Sequence, residues 1–216
     1  MEIGAIILAA GGSSRLGQPK QFLVHEGETL IRRAARAAIE GGCAPVVIVG
    51  GDENARILRE VADLATQVVH HPAWQRGIGT SIRVGLAELR ARAPGLNAVV
   101  VMVCDQPFVT ASLIANLIAR HAAHRSLNIA CAYADTVGVP ALFTRHFFRR
   151  LAALPDDSGA RQLLAQWPHR TATIPFSNGA IDIDTTRDCV AHLHGTETRP
   201  LSVSARADGP EVATKI

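Results

Sequence analysis

Aromatic residues are scarce in this chain, with six Phe, two Trp and one Tyr among 216 residues. Lysine is scarcer, because 20 of the 22 basic side chains are Arg and only Lys20 and Lys215 are Lys. The basic residues are spread out rather than clustered among aromatics, which argues against a nucleic-acid surface. No apolar run reaches the roughly 18 residues that a membrane span needs. The chain opens directly into Glu2-Ile3-Gly4-Ala5-Ile6-Ile7-Leu8 with no basic stretch before it, so no signal peptide is expected. The four cysteines, Cys43, Cys104, Cys131 and Cys189, are scattered and form no C-x-x-C pair. That usage excludes a disulfide scaffold and points to a reduced thiol state and a cytoplasmic chain.

What is present is an ordinary globular composition, 48% apolar and 19% charged with a net charge of +3. The length suits one domain, residues 1–194, and the polar, turn-rich stretch 195–216 reads as a mobile tail. Apolar segments at 3–10, 45–50, 66–70, 98–104 and 128–133 read as strands buried on both faces. Helical patterns lie between them at 29–40, 53–65, 81–93 and 110–124. Further on, 138–143 and 171–175 read as strands, 145–154 and 159–167 as helices, and a last short helix runs to about residue 192. This alternation predicts an α/β fold: a mostly parallel, twisted sheet between two helical layers, α-β-α and Rossmann-like. Ligands in such sheets sit at the carboxyl ends of the strands, near a switch in strand order.

The loop after the first strand is Leu8-Ala9-Ala10-Gly11-Gly12-Ser13-Ser14-Arg15-Leu16-Gly17-Gln18-Pro19-Lys20-Gln21. Small residues let the backbone approach a ligand closely, and consecutive N–H groups can cradle phosphate oxygens. Arg15 and Lys20 add positive charge beside the same place. Gly11 and Gly12 are adjacent, so the dinucleotide fingerprint G-x-G-x-x-G is absent. The Walker pattern fails at Gln18, with Pro19 separating Gly17 from Lys20. The plain alternative is a Gly-rich connection whose charged residues point into water.

This loop resembles the signature of nucleotidyltransferases of the molybdenum cofactor guanylyl- and cytidylyltransferase type. Five further blocks are similar to that family and occur in its order. They are His71-Pro72-Ala73-Trp74-Gln75-Arg76-Gly77-Ile78-Gly79-Thr80-Ser81-Ile82-Arg83, Cys104-Asp105-Gln106-Pro107-Phe108, Gly138-Val139-Pro140-Ala141-Leu142-Phe143, Asp157-Ser158-Gly159-Ala160-Arg161 and Asp182-Ile183-Asp184-Thr185. The resemblance implies a nucleotidyltransferase fold and transfer of a nucleotidyl group from a nucleoside triphosphate with release of pyrophosphate.

Such a reaction depends on positioning and charge neutralisation, and an ionised phosphate nucleophile needs no general base. That matches a sequence without a persuasive Ser–His–Asp arrangement. Asp105 ends an apolar strand, where a carboxylate is costly unless paired or metal-bound. Capping of the helix that starts near residue 110 is the other reading of it. By resemblance Asp105 and Asp184 are Mg²⁺ ligands, although Asp184 also suits an N-cap. Arg15 and Lys20 then carry the catalytic charge, and Leu8, Ala9, Ala10, Gly11, Gly12, Ser13, Lys20, Gly77, Ser81 and Asp105 bind the nucleotide. Gly138, Pro140, Gly159 and Arg161 fall in blocks placed near the acceptor, and a solvated Arg161 is the alternative. Trp74 either shapes the pocket or packs in the core. The pattern departs at His71, where the family usually has Asn, and that bears on base preference.

Leu8-Ala9-Ala10-Gly11 with Gly17-Gln18-Pro19-Lys20 looks more like the cytidylyl branch than the guanylyl one. The implied substrates are CTP and a molybdopterin-type phosphate acceptor, with a molybdoenzyme as a possible recipient of the product and no nucleic-acid or membrane partner. The rivals are a GTP-dependent enzyme, a transferase acting on a sugar or polyol phosphate, and a non-catalytic cofactor chaperone. A Rossmann oxidoreductase is the weakest, since its glycine fingerprint is missing.

Overall fold

The computed structural model describes residues 1–12, 16–183, 188 and 192–193. Its strands are β1 (Ile3–Ala9), β2 (Val24–His25), β3 (Glu28–Thr29), β4 (Val46–Gly50), β5 (Thr66–His70), β6 (Ala98–Val103), β7 (Asn128–Tyr133), β8 (Thr136–Thr144) and β9 (Thr171–Pro175). The helices are α1 (Leu30–Glu40), α2 (Asn54–Glu60), α3 (Ile78–Arg92), α4 (Ala111–Ala123), α5 (Phe148–Ala152) and α6 (Ala160–Gln166). Seven strands form one sheet in the order β5-β4-β1-β6-β8-β7-β9. Only β8 runs against the others.

Side chains alternate across a strand, and β1 feeds two cores. Ile3, Ala5, Ile7 and Ala9 pack with Ala34, Ala35 and Ala38 of α1, Ile57 of α2 and Ile114 and Leu117 of α4. Ile6 and Leu8 pack on the other side with Ile82, Leu86 and Leu89 of α3, Leu151 of α5 and Leu163 and Leu164 of α6. This is the three-layer arrangement that the alternation of elements predicts. The chain steps from β1 outward to β4 and β5, then returns to the other side of β1 at β6. The strand order therefore reverses around β1, and a crevice opens between the loops that follow β1 and β6.

The sheet widens that crevice on the β8 side. Pairing of β6 with β8 stops at Val101 and Ala141, and the β7–β8 register shifts between Ala130 and Cys131. Val139 and Pro140 fill the irregularity, where a proline without an N–H costs no ladder bond.

Several boundaries differ from the sequence expectation. The helix expected over 53–65 ends at Glu60, where Asp63 instead takes two hydrogen bonds from Arg32. The helix expected from 81 starts at Ile78. The helix expected over 145–154 divides into a 3-10 turn, Arg145–Phe147, and α5. The β2–β3 hairpin is not anticipated; Glu26 and Gly27, at φ 50° and 81°, form its two-residue turn. The tail expected at 195–216 lies outside the described residues, as does most of the last short helix.

Candidate active site

β1 delivers Ala9 to the crevice, and the loop after it returns through a 3-10 turn, Lys20–Phe22. The buried Gln21 ties that turn back to the strand, its Nε2 donating to Ala9 O at 2.7 Å. This tether aims the neighbouring Lys20 across the crevice, where its Nζ donates to Asp105 Oδ2. Asp105 is held from the other direction as well, because Ile183 N–H donates to its carbonyl at 3.1 Å. The pair is mostly buried, with side chains 16% and 13% exposed. Asp105 Oδ1 is buried and has no hydrogen-bond partner among the described residues.

A carboxylate oxygen buried without a donor is expensive. A divalent cation would satisfy it, and a carboxylate is the hard oxygen ligand that Mg²⁺ or Mn²⁺ prefers. No cluster of three or more His, Cys, Asp or Glu able to hold a metal occurs among the described residues. Cys104 beside it is no nucleophile, because burial and then the Asp105 charge push its thiol up to about 12.

Leu8, Ala9, Ala10, Gly11, Lys20, Gln21, Trp74, Gln75, Gly77, Ile78, Ser81, Val103, Cys104 and Asp105 line one cavity of about 320 Å³. A second, of about 340 Å³, shares Ala10, Gly11, Gln21 and Trp74 and adds Gly12, Gly17, Gln18, Pro19, Asp52 and Glu53. Trp74 is common to both and is therefore a pocket wall rather than core. Its Nε1 donates to Asp52 Oδ1 at 3.1 Å, and its ring lies against Gly12 and Gly51. A Cβ at those glycines would come within 2.8 and 2.7 Å of the indole, so any side chain there displaces the wall.

The floor beneath Ser81 is the first turn of α3, fixed from below and from outside. Thr80 Oγ1 donates to Gly77 O at 2.6 Å, and His71 Nε2 lies 2.7 Å from the same hydroxyl. With the hydroxyl proton committed to Gly77, His71 Nε2 is the donor of that second bond. His71 is buried and lines neither cavity, and it braces the Gly77 turn. Outside, Arg76 and Arg83 grip Asp156 (Arg76 Nε to Oδ2 3.0 Å, Arg83 Nη2 to Oδ1 2.5 Å), and Arg83 also donates to Leu154 O. Gly79 N–H donates to Asp156 O at 2.9 Å. Segment 154–158 is thereby clamped onto the start of α3.

A second polar group lies where β8 leaves β6. Gln106 Nε2 donates to Gly179 O at 2.9 Å, and its Oε1 is buried without a partner among the described residues. The half-buried Tyr133 donates to Val139 O at 3.3 Å. Burial first, then the Asp182 charge, raises the Tyr133 phenol, while a Gln106 hydrogen bond and the Arg161 charge oppose the shift. Arg161 and Asp182 thus both act on the chain's single Tyr.

Residues 5–171 match the sequence profile of the MobA-like NTP transferase domain. The chain belongs to that family.

This MobA-like domain is 31% identical over 194 residues to "Nicotine blue oxidoreductase" of Paenarthrobacter nicotinovorans, covering 85% of the chain and 92% of that protein. It is 23% identical over 189 residues to "Molybdenum cofactor cytidylyltransferase" of Escherichia coli, covering 87% and 94%. Among solved structures, Rv0371c of Mycobacterium tuberculosis superposes with a TM-score of 0.77 at 30% identity, covering 89% of this chain and 97% of that one. A manganese complex of Rv0371c matches with a TM-score of 0.73 at 28% identity, over 91% and 100%.

In the MobA-like domain, eight of the nucleotide-site residues expected from sequence line the 320 Å³ cavity: Leu8, Ala9, Ala10, Gly11, Lys20, Gly77, Ser81 and Asp105. Gly12 lines its neighbour. Ser13, Arg15 and Asp184 lie outside the described residues. Gly138, Pro140, Gly159 and Arg161 line neither cavity. Gly138 packs under the Tyr133 ring, Pro140 occupies the irregular stretch of β8, Gly159 caps α6, and Arg161 is exposed near Tyr133. Sequence reasoning passes over Gln106, Tyr133 and Asp156. Gln106 stands next to Asp105 in its own block, which is a usable signal. Nothing in the sequence couples Asp156 to Arg76 and Arg83 from 80 and 73 positions away.

Proposed function

We propose that the chain transfers CMP from CTP to the terminal phosphate of a molybdopterin-type acceptor carrying molybdenum, giving a cytosine dinucleotide cofactor and pyrophosphate. The observation that carries this reading is Asp105, with Oδ2 on Lys20 and Oδ1 left without a donor at the mouth of a cavity built from small residues. Asp105 would hold Mg²⁺ through that oxygen, with Asp184 as a second ligand and phosphate oxygens completing the shell. The cation supplies charge neutralisation for the triphosphate and the departing pyrophosphate.

The chain's own residues do the rest. Lys20 is held by Asp105 and fixes an ammonium beside the reacting phosphate, and Arg15 adds charge on the same loop. Ala9, Ala10, Gly11 and Gly12 let the backbone come close to ribose and phosphates, and Gly77 and Ser81 face the base. The partly positive end of α3 opens on the same cavity, which suits an anionic ligand. An acceptor phosphate oxygen attacks the α-phosphorus, the bond to the bridging oxygen breaks, and pyrophosphate leaves with that electron pair. No protein base takes a proton in this scheme, consistent with His71 facing away from the cavity. Residues 1–194 form the catalytic domain in this reading, with 195–216 outside it, and the reaction belongs to the cytoplasm. No described helix is long and apolar enough to cross a membrane.

A redox reading is favoured by one observation, the 31% identity to a protein named as an oxidoreductase. A GTP-dependent enzyme and a sugar or polyol phosphate acceptor remain the rivals within the transfer reaction.

Thermal unfolding with saturating CTP, GTP, ATP, UTP, NADH or NADPH, each with and without Mg²⁺, separates these readings. Native-state binding at one hundred times the dissociation constant adds about 2.7 kcal/mol. Stabilisation by CTP that requires Mg²⁺, followed by pyrophosphate release when the pterin acceptor is added, is the expected result. Selective stabilisation by GTP would move the assignment to guanylyl transfer. A response to NADH or NADPH alone would overturn transfer in favour of redox chemistry.

A further inference from the structure

Arginines on the helical flanks are matched to carboxylates: Arg32 to Asp63, Arg33 to Glu26, Arg36 to Glu28, Arg83 to Asp156 and Arg92 to Glu88, at 2.5–3.0 Å. Not every arginine is so matched, and two that make no ion pair among the described residues gather at the opposite end of the sheet from Asp105. Arg125, after α4, and Arg145 and His146, after β8, line a concavity of about 570 Å³ together with Asn97, His121 and Thr144. None of Arg125, Arg145 and His146 makes an ion pair among the described residues. No carboxylate occurs among the described residues lining the concavity. Glu2, whose backbone is hydrogen-bonded to Asn97, lines an adjoining concavity with Pro45 and Arg92, and Met1 lines both.

The place is built rather than accidental. Arg145 is anchored twice, its Nη1 donating to Leu96 O at 3.1 Å and its backbone N–H to Asn97 O at 2.9 Å. Asn97 Oδ1 accepts from Glu2 N–H at 2.9 Å, which leaves its Nδ2 as a donor. The floor holds two side chains at least nine-tenths buried, His121 at 3% and Thr144 at 1% exposure. His121 Nδ1 and Thr144 Oγ1 have no hydrogen-bond partner among the described residues. Two guanidiniums and an amide therefore converge with donors, beside the His146 ring and the Thr144 hydroxyl, and no acceptor charge lies between them. Like charges gathered in a concavity repel unless an anion sits among them. A planar guanidinium is moreover the group best shaped to hold a phosphate oxygen pair.

We propose that this concavity is a binding site for a phosphate-type oxyanion, separate from the nucleotide cavity. The length of β6 lies between the two, because Asn97 precedes that strand and Asp105 follows it. Occupancy is therefore not competitive with nucleotide. The volume exceeds inorganic phosphate and suits a phosphorylated small molecule.

The test titrates inorganic pyrophosphate into the full chain in chelator, with ionic strength held constant by potassium chloride, for wild type and Arg125→Gln/His146→Gln. Both side chains are exposed and make no side-chain hydrogen bond among the described residues, so the melting temperature without ligand serves as the folding control. Arg125→Glu is the second variant should the double one melt early. The expected result is at least a tenfold loss of pyrophosphate affinity in the variant, with the response to CTP and Mg²⁺ unchanged. Equal affinity in both chains would place all the binding in the nucleotide cavity and overturn the proposal. So would pyrophosphate acting no better than chloride at matched ionic strength. Neither reading depends on whether CTP is the nucleotide of the catalytic site.

Discussion

The two oxygens of the Asp105 carboxylate stand in different situations. Its Oδ2 takes the Lys20 ammonium, while Oδ1 is buried with no donor among the described residues. An ion pair alone would leave the second oxygen as a standing cost, whereas a metal ligand uses both oxygens. Asp105→Asn keeps the shape, removes the charge and gives the second position a poor metal ligand. The expected outcome is a fall in turnover of about a hundredfold or more, together with loss of the extra stability that Mg²⁺ confers on the nucleotide complex. Steady-state pyrophosphate release and thermal unfolding with CTP, each with and without Mg²⁺, check the two halves separately. Wild-type turnover in the variant would remove Asp105 from the metal site, and retained metal dependence would point to other ligands.

At the scale of elements, the start of α3 is where local sequence and tertiary packing meet. Gly77 sits at φ 130°, and a Cβ there would come within 2.2 Å of Asp156 O. Gly77→Ala therefore meets both backbone strain, about 1–3 kcal/mol, and a carbonyl that must move. Urea unfolding should show a loss of at least that size, with weaker nucleotide binding because Ile78 and Ser81 shift with the turn. An unchanged midpoint would mean that the clamp on segment 154–158 is loose. The same region shows what the sequence could and could not reveal. Apolar runs separated by amphipathic stretches are enough to announce the parallel sheet, and the small-residue loop with Lys20 and the carboxylate ending β6 announce the cavity. The helix start at Ile78 was hidden because Gly77 and Gly79 look like breakers. They are tolerated since their missing side chains admit the 155–156 carbonyls. The β7–β8 turn was hidden too, as Ala134 and Asp135 take positive φ without a glycine. The polar group around Tyr133 stays least legible, because Gln106, Tyr133 and Asp182 come together only in the fold and by no motif.

For the molecule as a whole, acid sensitivity follows from where its histidines sit. His25, His71 and His121 all have folded-state pKa values lowered from 6.5, burial being the first cause in each. Arg33 adds to the effect at His25, Arg83, His70 and Arg76 at His71, and Arg125 at His121, while Glu26 and the Leu127 backbone oppose it. A lowered folded pKa means that the unfolded chain binds protons first on acidification. The stabilisation is thus whole above about pH 6.5 and is lost as the pH falls from there through the folded values. The carboxylates act lower. Asp63 is brought down to about 2 by its hydrogen bond to Arg32, and Asp156 is lowered by its hydrogen bonds to Arg83 and Arg76. Their contribution is present above the ordinary carboxylate pKa and disappears only below it. Because those pairs lie at the surface, salt screens them, whereas burial, the first cause at the imidazoles, responds little to salt. Denaturant midpoints measured from pH 7.5 to pH 3 at 0.05 M and 0.5 M potassium chloride should fall in two limbs. The limb beginning near pH 6.5 should change less with salt than the limb below about pH 4, which should shrink at the higher one. A flat profile between pH 7.5 and pH 5 would contradict the burial of the three imidazoles.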